Sequence, residues 1–166
     1  PSAPMGPLGH AVLIALLRLP VWHEDREEPQ REARIAVIAE SIESATLRAT
    51  CADRWPELGC RKSWPGRPTT PAAALARQAY TEAALARRWH AGDCRGAECD
   101  HGTSQSLWQL KPVRWMVEHP WDEITGTDLV STTWAAWYAA RALSCGYRAC
   151  GDLPGAISMY ATGSLC

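Results

Sequence analysis

Apolar residues recur at helical spacing through most of the chain, and the breaks between runs fall at proline, glycine and charged clusters. Leu8 to Leu19 is almost wholly apolar and stops at Pro20, which predicts a first helix over those residues. Residues 1–7 read as a loose terminus. The run from Trp22 to Glu28 reads as a solvated, charged connector, with a metal on His23, Glu24 and Asp25 as the weaker alternative. Pro29 opens a second helix whose buried line is Ile35, Ile38, Ile42 and Ala45. Residues 49–69 hold Cys51, Cys60, three prolines and two glycines and predict a loop pinned by a bridge.

A third helix is predicted over 71–90, capped by Thr70 with Pro71 in its first position. Leu75, Ala79, Glu82, Ala86 and Trp89 share one line of it, and Arg77, Thr81 and Arg88 lie opposite. Ser104 to Trp108 reads as a short strand or turn, one side of a small hairpin. A helix through Trp115 and Met116 then runs from Pro112 to Pro120. A fifth, capped by Thr127-Asp128, carries an aromatic face of Val130, Trp134 and Trp137 or Tyr138 and is stopped by Gly146. The last helix is capped by Asp152, has Pro154 in its first turn and ends at Gly163, with Ile157, Tyr160 and Ala161 inward. The whole predicts one mainly α-helical domain over 1–166, with N-terminal helices and a cysteine loop at 1–69 and a core at 70–166.

Composition narrows the chemistry. At 166 residues and 46% hydrophobic the chain can bury a core, and a net charge of −1 gives no electrostatic case for nucleic acid. The run from Ala11 to Leu17 is too short to span a bilayer and lacks the flanks of a signal peptide, so it reads as a packed helix. Nine Trp and no Phe make Trp the main source of aromatic packing; Trp55 and Trp64, each beside a proline, either pack the loop or line a sugar groove. Seven Cys fall as Cys51 and Cys60, Cys94 and Cys99, Cys145 and Cys150, with Cys166 last, which points to local disulfides and an oxidising compartment. Cys166 can pair with either Cys145 or Cys150. Zinc is the competing reading, against which stand the four- and eight-residue spacings.

Glu82 is the candidate acid. It sits in an apolar stripe, where burial disfavours the ionised form and suits a general acid near neutral pH. The bland reading is a glutamate at the stripe's edge reaching for arginine or solvent. Downstream come a loop punctuated by Gly and Cys from Ala91 to Gly102, then Thr-Ser-Gln-Ser-Leu-Trp-Gln-Leu-Lys-Pro at 103–112, then Gly155-Ala-Ile-Ser-Met-Tyr-Ala-Thr-Gly163. This order resembles the lysozyme-like superfamily, closest to soluble lytic transglycosylases and goose-type lysozymes with their phage-encoded relatives, over roughly residues 70–163.

The resemblance implies cleavage of the β-1,4 link between N-acetylmuramic acid and N-acetylglucosamine in peptidoglycan. Glu82 would be the catalytic acid and base, with Ser106, Gln109, Tyr160 and Asp100 at the substrate and no cofactor or metal. Asp93 and Asp100 lie where a helper carboxylate would sit, and turn-forming Asp is their bland reading. Lys111-Pro112 leans toward the single-carboxylate, anhydro-forming mechanism. It further implies a monomer acting outside the cytoplasm on the cell wall, whether secreted, periplasmic or delivered by a phage. Glu40-Ser41 and Glu43-Ser44 show the Glu-Ser pair usual at the catalytic position but lie too far from residues 106–112 for the family layout. Ala83 stands where that Ser is usual, Ser106 where Gly is usual, and Ala161-Thr162 where an Asn-containing pair is usual. These departures sustain a rival: an eroded lysozyme fold serving as a structural or glycan-binding protein of a virion or cell surface.

Overall fold

A computed structural model describes residues 4–51, 69–90, 106–110, 129–163 and 166, and among these it is mainly helical, without a strand. The helices are α1 (Pro7–Leu17), α2 (Arg31–Cys51), α3 (Thr69–Ala83), α4 (Arg87–His90), α5 (Leu129–Cys150) and α6 (Leu153–Thr162). Of the loop expected at 49–69, residues 49–51 instead continue α2 and Thr69 opens α3; the rest, with the expected bridge, Trp55, Trp64, the helix expected before Pro120 and the Thr127-Asp128 cap, lies outside the described residues.

α2 and α5 are the spine: they pack along one another, α6 lies on α5, and α1 lies on α2. The predicted line of α2 is the centre of the core, with Ile35, Ile38, Ile42 and Ala45 all at most 1% exposed. α3 closes that core with Leu75 and Ala79. None of the described helices is long and apolar enough to cross a membrane.

Several expectations are corrected. Gly6 and Pro7 are not loose: α1 begins at Pro7, and the N–H groups of Gly6 and Gly9 donate to the two carboxylate oxygens of Glu43 at 2.8 and 2.9 Å. The connector is solvated only in part. His23 and Glu24 are open to water, but the side chains of Asp25 and Glu28 are 6% and 7% exposed and face the guanidinium of Arg34.

The third helix does not run to residue 90. It ends at Ala83, because Ala84 and Leu85 both adopt left-handed backbone, with φ of +48° and +56°. α4 follows as a separate turn. Gly146, finally, does not stop α5, which continues to Cys150; the left-handed stop is Gly151, with φ of +85°. Gly146 instead permits a close helix crossing, since a Cβ there would stand 3.0 Å from the backbone of Ala156 in α6.

α6 follows its local signals closely. The Oδ1 of Asp152 accepts from the N–H of Gly155 at 2.7 Å, and Gly163 closes the helix with φ of +80°. Ile157 and Tyr160 pack on the core, whereas Ala161 is exposed, so the inner face is completed by Gly155 and Ala156. Cys150 at the end of α5 bonds Cys166. Cys145 is in a disulfide of its own, so the neighbouring Cys145–Cys150 pair is not formed.

Candidate functional site

α3 presents Glu82 one residue before its end. Leu75, Ala79 and Ala83 turn into the core, Arg77 and Thr81 face out, and Glu82 stands between, partly buried. Its Oε1 accepts a hydrogen bond of 2.6 Å from Nε2 of Gln78, one helical turn earlier. Among the described residues this is its only hydrogen-bond partner, and no arginine or lysine there pairs with it. Burial raises the carboxyl above its ordinary 4.5, and the Gln78 hydrogen bond, which favours the charged form, opposes the rise.

The turn from Ser106 to Gln109 lies against the same helix. Trp108 is fully buried, and its indole N–H donates to the carbonyl of Leu75 in α3 at 3.1 Å. The turn is built on two left-handed residues, Ser106 at φ +65° and Gln109 at φ +48°. The N–H of Gln109 donates to the carbonyl of Ser106 at 3.1 Å, and its side-chain amide donates to the same oxygen at 3.0 Å. The hydroxyl of Ser106 accepts from the N–H of Trp108 at 3.3 Å. Each of these bonds holds the turn itself in shape.

Tyr160 brings α6 to this turn. Its hydroxyl donates to the carbonyl of Trp108 at 2.5 Å. Burial first, and the nearby charge of Glu82 second, push that hydroxyl well above its ordinary value, so it stays protonated and neutral. The effect of Glu82 on Tyr160 sets the two groups within electrostatic reach of each other. Thus hydrogen bonds join three segments far apart in sequence, α3 at Leu75, the Ser106–Gln109 turn and the middle of α6, and Glu82, two turns along α3 from Leu75, bears on Tyr160 through its charge.

Of the sequence candidates, Glu82, Ser106, Gln109 and Tyr160 belong to this meeting point. Asp100 and Asp93 lie outside the described residues. Glu43, by contrast, is fully engaged in holding α1, and it neighbours none of these groups among its hydrogen bonds. Sequence reasoning passed over Gln78, although its four-residue spacing from Glu82 was readable. It also passed over the Arg34 group. The guanidinium of Arg34 donates to both oxygens of Glu28 at 2.8 Å and to the carbonyl of Leu85 at 2.6 Å, and Asp25 accepts the N–H of Arg87 at 2.7 Å. These bonds grip the left-handed turn that ends α3 at Leu85 and again at Arg87, just beyond it. No metal-holding group of three or more His, Cys, Asp or Glu occurs among the described residues.

The chain matches no protein-family model, no curated protein and no solved structure.

Proposed function

We propose that the protein is a peptidoglycan-cleaving glycosidase, a muramidase or lytic transglycosylase, with Glu82 as its general acid. The observation that carries this reading is that the helix bearing Glu82, the 106–109 turn and Tyr160 are linked by the Trp108–Leu75 and Tyr160–Trp108 hydrogen bonds; these are the three pieces whose order in sequence resembles the lysozyme-like superfamily. The backbone at Ser106 adds support. Its φ of +65° is a conformation that favours glycine, and glycine is what the resemblance expects at this position.

Cleavage needs a proton on the leaving oxygen and support for an oxocarbenium-like transition state. A carboxyl raised by burial keeps that proton into the pH range where ordinary glutamates have lost it. After transfer, the Glu82 carboxylate becomes the base, either on water or on the sugar's own hydroxyl. Tyr160, neutral and tied to Trp108, acts as a fixed strut and dipole rather than as an acid or base. The test is clearing of purified cell walls by the wild type and by Glu82→Gln. Wild type clears, and the variant loses at least about a hundredfold, the scale of general-acid removal. Mass analysis of the fragments separates an anhydro end from a reducing end.

A second reading, a glycan-binding domain that does not cut, draws on Ala83 and on the engagement of both Gln109 and Tyr160 with backbone carbonyls. It expects wild type and Glu82→Gln alike to sediment with insoluble peptidoglycan and neither to clear it.

A further inference from the structure

We infer that Gln78 is a positioning residue for the acid: its buried amide grips one oxygen of Glu82 and so assigns the transferable proton to the other. The inference rests on Glu82 being the acid of the proposed reaction.

Gln78 is only 2% exposed, on a helix whose neighbouring inward positions are Ala74, Leu75 and Ala79. An apolar side chain would pack there without desolvating an amide, whereas a buried amide needs a partner. Among the described residues the only hydrogen-bond partner of the Gln78 side chain is Glu82, at 2.6 Å. An ionised carboxylate can only accept, so the NH2 group faces it. When Glu82 is protonated the same NH2 still needs an acceptor, which makes Oε1 the carbonyl oxygen and leaves the proton on Oε2. The grip therefore survives both halves of an acid–base cycle. It also supplies a hydrogen bond to Glu82 in a chain that has Ala83, with no side-chain donor, immediately after the acid.

The other charged or titratable groups around Glu82 do not duplicate this role. From α6 the facing group is Tyr160, whose hydroxyl proton is held by the carbonyl of Trp108. On α3 itself Arg77 faces outward, and in α4 Arg88 lies 3.9 Å from Glu24 and over the ring of Trp22.

The test uses Gln78→Leu and Gln78→Met, which fill the space without donating, measured in the full chain. Cell-wall clearing and kinetics on soluble glycan fragments should show kcat lower by roughly ten- to hundredfold with KM nearly unchanged, the scale of a misplaced reacting group. The high-pH limb of the rate profile should move upward, because the bond that favours the ionised carboxylate is gone. A side chain that only fills space would leave that limb where it is. Carbon-13 NMR titration of the Glu82 carboxyl reads the same displacement without any turnover. If wild type clears walls and the variants keep both kcat and limb, Gln78 is mere packing and the inference falls alone. If wild type does not clear walls, the proposed function falls. An unmoved Glu82 titration in folded variants, judged by their melting curves, overturns the grip in either case.

Discussion

Two glutamates, Glu43 in α2 and Glu82 in α3, are both at least partly buried, and only the first begins the Glu-Ser pair that the resemblance expects at the catalytic position. Glu43 is followed by Ser44, the usual partner, and Glu82 by Ala83. Their surroundings differ in the opposite sense. Both oxygens of Glu43 are taken by the N–H groups of Gly6 and Gly9, at the positive end of α1. A Cβ at Gly6 would stand 2.6 Å from one of those oxygens, and a Cβ at Gly9 2.8 Å from the other, so the two glycines exist to let the backbone come that close. Glu82 has one oxygen held by a neutral amide and, among the described residues, none on the other. The lesson is that burial alone does not make a carboxylate reactive. Glu43 caps a helix distant in sequence, while Glu82, among the described residues, is held on one side only, which leaves it able to exchange a proton.

Exchanging these roles by mutation is the sharpest way to break the comparison. Glu82→Gln should abolish most cell-wall clearing, by about a hundredfold to ten-thousandfold, without lowering the melting temperature. Loss of folding in that variant would mean that Glu82 is structural, like Glu43. Arg34→Ala comes next. It leaves Asp25 and Glu28 buried without their cation and frees the Leu85 carbonyl, and it should cost about 3–5 kcal/mol in denaturant unfolding. A loss under about 1 kcal/mol would show that the turn after Glu82 holds itself.

Glu43→Ala should cost roughly 2–3 kcal/mol, since one buried and one partly buried N–H group lose a charged acceptor. Clearing per folded molecule should be kept; its loss would move the catalytic assignment to α2.

The smallest effect concerns pH. Because burial raises the folded-state value of Glu82 above 4.5, the stability linked to its proton is full below the unfolded value and is lost as pH rises through the folded one. Glu82→Gln has no such proton. Its melting temperature should equal that of wild type below pH 4.5 and exceed it slightly at neutral and alkaline pH. A gap that instead widens toward acid would mean that the folded state favours the carboxylate.

Where sequence signals are local, they read correctly. The Ile35–Ile38–Ile42 line, the Asp152 cap, and the Gly163 stop all depend on residues within a turn or two of each other. The break after Ala83 was not readable. Ala and Leu are good helix formers, so nothing at Ala84-Leu85 announces a left-handed turn. What holds it is Arg34, 51 residues earlier, whose buried guanidinium takes the Leu85 carbonyl. Gly146 misled for the complementary reason. A glycine that reads as a stop is needed for the close approach of α6.

The sequence by itself determined that the chain is mainly helical, that the Ile35–Ile38–Ile42 line of α2 turns inward, and that residue 82 is an acid set among apolar neighbours. The hydrophobic period and the caps are written in consecutive residues, and burial of an amphipathic stripe follows from them wherever the chain folds. Only the tertiary structure decided that Glu43 closes α1, that Gln78 holds Glu82 on one oxygen, and that Tyr160 reaches across to Trp108. The reason is that a carboxylate's role is set by which donors reach it. Gln78 is local to Glu82, but the donors to Glu43 are brought close by packing across 34 residues for Gly9, as Tyr160 is brought to the Trp108 carbonyl across 52, distances over which no local pattern carries information.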